Sequence, residues 1–597
     1  MFVWDEDALN AEQERAVNEP GSVFLIACPG SGKTRTLTYK VASELSKLDS
    51  HKQFVAAITY THRAADEMEE RITSLGVDTD QLWIGTIHSF CLEWILKPYG
   101  LYHPELAQGF QVVNSHESET ILDRLCSGYH NISIYDCGFH FTGSTLELEC
   151  PHTAKHAEVR LILEQYFKEL RSARQVDFEH ILRCAFELIR DNPQISRVLG
   201  QIFSFIAIDE YQDTKRIQYA ILTSIINAGA GATRTLIVGD PNQEIFTSMG
   251  GYAISASEFQ GLIGLPLKEL QLSQNYRSSE FITKYFGNFN VHGTTIAAAS
   301  PHKDYASLIT FNDSIDRVDL ESEIVRLIRH NIEIRGISPR EICIIAPWWV
   351  HLAAMTRKLV AALPDYEFDG PGLVPFSRDL DNFWYKTARI ALTEASPEMY
   401  VRRLRWAQEL INDLSAAGVD VSHLSKQKLL RESNLIELTE VDGLKYLAAY
   451  FELLLKSLGV DFRVFTSLHE QHEAFFASAS ARVDRLVREG SPYIADIATF
   501  RRVYRNRSGI TVSTIHGVKG GEFDTVIAYA MLDGMVPHFN DPDQMNSARK
   551  LLYVIGSRAR KNLHLIAERG RPRGRFNVYD TSVPLRALRF DYDIDLT

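Results

Sequence analysis

Short apolar runs alternating with helix-compatible segments, a glycine-rich turn between one such run and a helix start, and two long strandless intervals predict an α/β protein. It is expected to hold two parallel-sheet cores, each interrupted by a mainly helical insertion. The predicted strands of the first core are Val23–Ala27, Phe54–Thr59, Leu82–Ile87, Phe205–Ile208, Thr235–Val238 and Leu267–Leu272. Those of the second are Glu341–Ala346, Ile510–Ile515, Thr525–Ala530 and Asn562–Ala567. From about Glu93 to Arg190 the chain reads as largely helical with one hairpin. From about Thr393 to Arg507 it reads as almost entirely helical, with Val401, Leu404, Leu410, Ile411 and Leu414 tracing one apolar face near helical spacing.

The glycine-rich turn is Ala27-Cys-Pro-Gly-Ser-Gly-Lys-Thr34. Strand, turn and helix start in this order bind a nucleoside triphosphate, because turn N–H groups and the helix N-terminus face the phosphates. Ala27, which stands where a first glycine is usual, begins the loop formed by Cys28, Pro29, Gly30, Ser31 and Gly32. Gly30 and Gly32 admit the phosphates where a Cβ would obstruct them. Lys33 can reach the β- and γ-phosphates, and the Thr34 hydroxyl can ligate Mg²⁺. The acidic partner is Phe205-Ile-Ala-Ile-Asp-Glu210, an apolar strand ending in two carboxylates at the sheet edge where such folds bind ligands. Asp209 is expected to hold Mg²⁺ and Glu210 to polarise the attacking water. The long separation of Lys33 from Asp209 demands a sizeable insertion, which the helical stretch Glu93–Arg190 supplies.

Composition sets the outer bounds. A net charge of −13 does not advertise nucleic-acid binding, but a basic groove on an acidic protein is compatible with it because the relevant field is local. Seven scattered cysteines suit a reducing, cytoplasmic compartment. No apolar run is long enough to span a membrane, and the acidic start Met1 to Asp7 does not resemble a secretion signal. Cys137, His140, Cys150 and His152 are all capable zinc ligands, but their spacing is atypical and they read as reduced, structural groups. The basic stretch Arg569 to Arg575 reads as a solvated turn.

From Asp209-Glu-Tyr-Gln-Asp213 onward the chain resembles UvrD/Rep-type superfamily 1 DNA helicases, and further motifs recur in that family's order. Leu9-Asn-Ala-Glu-Gln13 resembles the Q motif, Ile58 to Met68 motif Ia, and Gly85-Thr-Ile-His-Ser-Phe90 the next DNA-contacting motif. Val176-Asp-Phe178 precedes motif II as in the family. Val238-Gly-Asp-Pro-Asn-Gln243, Leu272 to Arg277, Thr514 to Phe523 and Tyr553 to Ala559 resemble motifs III to VI. The resemblance implies that Gln13 reads the adenine edge, Arg35 contacts the nucleotide, Tyr276 stacks on the base and Glu522 lies near the ribose. It also implies that Gln243 senses the γ-phosphate, Arg277 contacts it and Arg558 acts as the arginine finger. Tyr60, His88, Phe90 and His516 are the expected DNA contacts.

The implied architecture is two RecA-like P-loop NTPase domains. Domain 1A comprises residues 1–92 and 191–277 with insertion 1B at 93–190. Domain 2A comprises 278–392 and 508–597 with insertion 2B at 393–507. The implied activity is ATP- and Mg²⁺-dependent movement, 3′ to 5′, on single-stranded or tailed DNA. Two departures from the family pattern bear on it. Ser248 and Met249 replace an aromatic-Arg pair after motif III, and Gly521 stands where leucine is usual. The first favours an alternative, a DNA-stimulated ATPase serving a separate nuclease subunit, for example in phage defence; residues after Arg575 are too few for an added nuclease domain. A third reading, a nucleotide-switched regulator that binds no DNA, is disfavoured by the two arginines and the DNA-side motifs.

Overall fold

Ser22–Ala27 is apolar at five of its six positions, and such a run is stable in a sheet only when both faces are covered. The computed structural model buries it so, between Leu267–Leu272 and Arg234–Gly239 in a six-stranded parallel sheet. The structure describes all residues except 1, 3, 6, 114, 371–374, 377–381, 489–491, 505–507, 575–576 and 594–597, and except the side chains at 62, 63, 115, 116, 350, 492 and 493. Met1, Val3 and Glu6 of the acidic start, the side chains of His62 and Arg63 in the Ile58–Met68 stretch, the expected boundary at Arg507, and Arg575 therefore lie outside the described residues. The chain forms two compact units, residues 1–317 with 515–597, and residues 318–514.

In the first unit the sheet order is Leu267–Leu272, Ser22–Ala27, Arg234–Gly239, Phe203–Ile208, Phe54–Thr59, Leu82–Thr86, and each neighbouring pair is parallel. Side chains alternate between two layers, as the period of a strand requires. Val23, Leu25, Val55, Ala57, Phe205 and Leu236 pack on one side with Leu37, Val41 and Met68. Phe24, Ala56, Ile206 and Ile237 pack on the other with Phe90, Leu182, Leu188 and Ile221. Helices thus cover both faces, and the strand ends carrying the sequence motifs open at one edge, where ligands bind in this kind of sheet.

Between residues 93 and 190 helices enclose one antiparallel hairpin, Phe139–Thr142 with Thr145–Leu148. The helix Phe178–Asp191 is started by Asp177, whose carboxylate accepts from the His180 N–H at 2.8 Å and from the Tyr166 hydroxyl at 2.9 Å. Three further parallel strands, in the order Ile309–Asn312, Ala559–Ile566, Phe523–Ala528, belong to the same unit. Ile309–Asn312 was not expected: it is four residues long and half-buried, too short for a pattern to stand out. The helix Gln544–Ser557, which leads into Arg558, packs on Glu280–Gly287. There Gly556 meets Phe286 so closely that an added Cβ would stand 2.8 Å from the Phe286 Cβ.

The second unit carries three parallel strands in the order Ile342–Ala346, Ile510–Thr514, Phe368–Asp369, and a helical bundle. Phe383–Ala391, Tyr400–Ala416, Gly443–Ser457 and Thr466–Arg488 contribute Trp384, Trp406, Leu410, Phe451 and Phe475 to one core. The apolar face of Tyr400–Ala416 differs from expectation. Val401 is 49% exposed, and the buried stripe runs through Arg403, Trp406, Ala407, Leu410, Ile411 and Leu414. A charged residue occupies the inward position, which a hydrophobic pattern alone cannot reveal. Among the described residues no helix is long and apolar enough to cross a membrane.

Candidate active site

The phosphate loop is held from three sides. Gly30 and Gly32 adopt left-handed backbone, φ +67° and +79°. A Cβ on Gly30 would fall 2.6 Å from the Arg277 Cβ, and one on Gly32 would fall 2.5 Å from Gln13 Nε2. The glycines therefore serve close approach of protein segments as well as of phosphates. Asn275 Nδ2 donates to Pro29 O at 2.6 Å, the Tyr276 N–H to Gly30 O at 2.9 Å, and Gln13 Nε2 to Ser31 O at 2.9 Å. Gln13 Oε1 accepts from the Asn10 N–H, closing a capping box at the helix Ala11–Asn18. Gln13, expected to read adenine, is thus also a brace of the loop. Beside it Tyr276 is 38% exposed, its hydroxyl fixed by Asn10 and Gln274 at 2.7 and 2.6 Å, leaving a ring face available for a base. Arg35 is exposed on the same helix as Lys33, 6.0 Å from the Tyr39 ring.

Lys33 Nζ lies 3.0 Å from Glu210 Oε2. Burial opposes its charge, but Glu210, Asp240 and Asp209 outweigh that and raise its pKa. Glu210 has φ +51°, a conformation rare outside glycine and stored chiefly at functional sites. Its carboxyl is held well below the usual range, because Lys33, Lys519 and a 2.6 Å hydrogen bond from Gln212 overcome burial. Asp209 moves the other way, raised by burial and then by the Glu210 charge. Two adjacent carboxylates with opposite shifts suit two roles. Asp209 accepts the Glu210 N–H at 2.9 Å; its carboxylate and the Thr34 hydroxyl are hard oxygen donors of the kind Mg²⁺ prefers.

The two arginines converge on this edge from the C-terminal segment and from the strand end after Leu272. Arg558, 2% exposed, donates through Nη2 to Gln243 Oε1 at 2.6 Å, and Gln243 Nε2 donates to Asp240 Oδ2 at 2.7 Å. Burial, then the proximity of Arg277, lowers the Arg558 pKa to about 10, so it is still charged at neutral pH. Arg277 pairs with Glu522 at 2.5 Å and donates to Ser557 O at 2.8 Å, while its buried Nε has no acceptor among the described residues. Glu522, expected near the ribose, is therefore seen as the counter-ion of Arg277.

The expected DNA contacts divide. Tyr60 is 46% exposed, its ring 5.4 Å from Phe246, which stands 5.3 Å from His516. His516 is exposed and its Nε2 lies 3.1 Å from Ile245 O. His88 is half-buried, edge-on to Phe178 at 5.6 Å. Phe90 does not belong with them. It is fully buried, packed on Trp83 and Phe203 at 5.2 and 5.3 Å, because it points from a short helix into the core beneath the sheet.

Sequence reasoning missed Phe246, Asp240, Asn275 and Lys519. Phe246 was legible as the one aromatic residue of the stretch Ile245 to Gly251 that follows Gln243. Lys519 is bound to Asp213 Oδ1 and Gln243 O, each at 2.7 Å, and lies 5.4 Å from the Phe246 ring. Nothing local in the sequence signals these contacts. Cys137, His140, Cys150 and His152 stay apart in role. Cys137 Sγ lies 3.5 Å from Cys126 Sγ, Cys150 Sγ 3.9 Å from Asp136 Oδ1, His140 pairs with Glu149 at 3.2 Å, and His152 is exposed. Among the described residues no three metal-capable side chains converge, and all seven cysteines are free.

A parallel sheet with its phosphate loop at the strand ends, answered by Arg277 after the edge strand and by Arg558 from the C-terminal segment, places the chain among RecA-like P-loop proteins. The UvrD/REP helicase N-terminal domain matches residues 9–254 and the UvrD-like helicase C-terminal domain residues 498–570. The chain belongs to this UvrD/REP helicase family. It is 23% identical to the ATP-dependent DNA helicase PcrA of Staphylococcus epidermidis over 93% of this chain and 83% of that protein. It is 24% identical to the ATP-dependent DNA helicase UvrD1 of Mycobacterium leprae over 94% of this chain and 82% of that one. The PcrA of Staphylococcus aureus is 23% identical over 93% and 83%.

Proposed function

We propose that the protein is an ATP-dependent, UvrD-type motor that moves 3′ to 5′ along single-stranded DNA, acts on tailed duplexes, and works in a reducing cytoplasm. The observation that carries the ATPase is the convergence of Arg558 and Gln243 on the edge that holds Lys33, Asp209 and Glu210. Lys33 exchanges the Glu210 oxygen for phosphate oxygens when ATP binds. Glu210, freed and anionic, accepts a proton from the attacking water. Arg277 and Arg558 offset charge developing on the transferring phosphoryl group. Mg²⁺, held by Thr34 and Asp209, would supply charge neutralisation on the phosphates.

Movement is read from the aromatic cluster Tyr60, Phe246 and His516. Aromatic faces stack on any base, as sequence-independent tracking needs. Domains 1A, 1B, 2A and 2B, at the boundaries given above, are the proposed bodies of the motor, and the names of the relatives support DNA as the track. A second reading, a translocase that serves a separate nuclease and unwinds little alone, is favoured by the exposed Ser248 and Met249. Phe246 offsets that loss in part, since it supplies a ring within the same loop.

The deciding experiment is ATP turnover with and without single-stranded DNA, followed by strand separation on duplexes with 3′ or 5′ tails. Stimulation by single strands and preference for the 3′ tail are expected. Stimulation without separation selects the translocase. Intact basal turnover with no response to DNA or RNA overturns the motor and leaves a nucleotide-switched regulator.

A further inference from the structure

The helix Tyr400–Ala416 places Arg403, only 4% exposed, on the face it otherwise lines with Trp406, Ala407, Leu410 and Leu414. A buried cation is costly unless an anion answers it. Arg389, buried in the same bundle, is answered: it is ion-paired with Glu409 and lies 5.0 Å over the Trp406 ring. Arg403 has no carboxylate partner among the described residues. Among the described residues its Nη2 makes only long contacts, to Ile390 O at 3.5 Å and Ser433 Oγ at 3.4 Å, and its buried Nε has no acceptor. Burial lowers its pKa, the direction expected of a cation whose counter-charge is missing.

Arg403 lines a cavity of about 600 Å³ that lies wholly within residues 318–514. This is the size of a small-molecule site. One wall runs from Arg403 through Ser433, whose hydroxyl is 2.5 Å from the Tyr450 hydroxyl, to Tyr446. The Tyr446 and Tyr450 rings are inclined by only 19°, with centroids 6.3 Å apart. Arg501 closes the wall, its guanidinium 5.3 Å from the Tyr446 ring. The rim carries Glu394 and Glu398, both exposed.

We propose that this cavity binds a nucleoside monophosphate, with the phosphate on Arg403 and the base against Tyr446 and Tyr450. The guanidinium fork matches a phosphate, and a phosphate supplies the charge that Arg403 lacks. Near-parallel aromatic faces beside Arg501 suit a planar base. Among the described residues that line the cavity Arg403 is the one cation buried outright, which matches a single phosphate. The cavity shares no residue with the phosphate loop, so this is a second nucleotide site.

The test uses the full chain with the phosphate-loop site saturated by a non-hydrolysable ATP analogue and Mg²⁺. Calorimetric titrations compare AMP, dTMP, inorganic phosphate and a 5′-phosphorylated single-stranded oligonucleotide. AMP or dTMP is expected to bind at a single further site at least about tenfold more tightly than phosphate, the difference that a stacked base supplies. Binding should be lost in Arg403→Met and weakened in Arg501→Ala, and the nucleotide should raise the Tm of the unaltered chain but not of Arg403→Met. If Arg403→Met does not fold, Arg501→Ala, at a half-buried position, and Tyr446→Leu carry the comparison. The proposal fails if no nucleotide binds, if phosphate binds as tightly as the nucleotides, if the folded variants bind unchanged, or if only the oligonucleotide binds.

Discussion

Lys33 and Glu210 face each other at 3.0 Å, and each sets the charge state of the other. Lys33→Ala should abolish ATP hydrolysis while leaving the fold intact, checked by turnover alongside circular dichroism. Glu210→Gln keeps the shape and the Gln212 contact but removes the acceptor of the water's proton. It should slow hydrolysis by roughly 10²–10⁴-fold with nucleotide binding retained, which single-turnover kinetics and equilibrium binding separate. Unchanged hydrolysis would show that Glu210 is not the base. Such residues were legible in the sequence because a phosphate loop and a strand-end carboxylate pair are local signals. Asn275 and Lys519 were not, because their contacts join segments far apart in the chain: Asn275 braces Pro29, and Lys519 binds Asp213.

Secondary-structure elements decide which aromatic residues can serve a strand of DNA. The helix that begins after Thr86 turns Phe90 inward and leaves His88 half-buried near the surface. Motif resemblance groups the two; helix geometry separates them. Phe90→Ala should therefore cost about 3–5 kcal/mol of stability, as for other buried phenylalanines, read from denaturant midpoints. Loss of DNA affinity without loss of stability would restore Phe90 to the interface. Phe246 sits instead in the loop after Gln243, between Tyr60 and His516. Phe246→Ala should weaken single-strand affinity by about 1–3 kcal/mol, the usual value of one base–aromatic stack, with basal ATP turnover kept. Fluorescence anisotropy with a labelled oligonucleotide measures it. The six-stranded core was legible element by element, with ends displaced by a few residues. The strand Ile309–Asn312 and the inward position of Arg403 were not, since one is too short for periodicity and the other breaks it.

Across the first unit, Lys519 links the two activities proposed for the chain. Its ammonium holds Asp213 and Gln243 O on the ATP side and lies 5.4 Å from the Phe246 ring on the proposed DNA side. Gln243 in turn receives Arg558. The coupling proposed for these contacts is that a base displacing Phe246 would shift Lys519, and with it the Gln243 backbone, against Arg558, the proposed arginine finger. A ligand biases such an arrangement only through different contacts in its two states, and Phe246 supplies that difference. Arg558→Ala should slow phosphoryl transfer by roughly 10³–10⁵-fold with modest loss of nucleotide affinity, since a finger acts mainly on transition-state charge. Lysine should not restore it fully, because an ammonium cannot match the planar fork. Lys519→Met should behave differently. It keeps the length of the side chain and removes the bridge, so stimulation by single-stranded DNA should fall severalfold or vanish, while basal turnover, which loses one of the charges that lower the Glu210 pKa, should fall less. DNA binding by this variant should persist and weaken with salt, as expected of a protein that releases counterions on binding DNA. Measuring ATP turnover against oligonucleotide concentration, at two salt concentrations, separates lost coupling from lost affinity. If saturating DNA still stimulates Lys519→Met to the level of the unaltered protein, the signal between the two faces travels by another route.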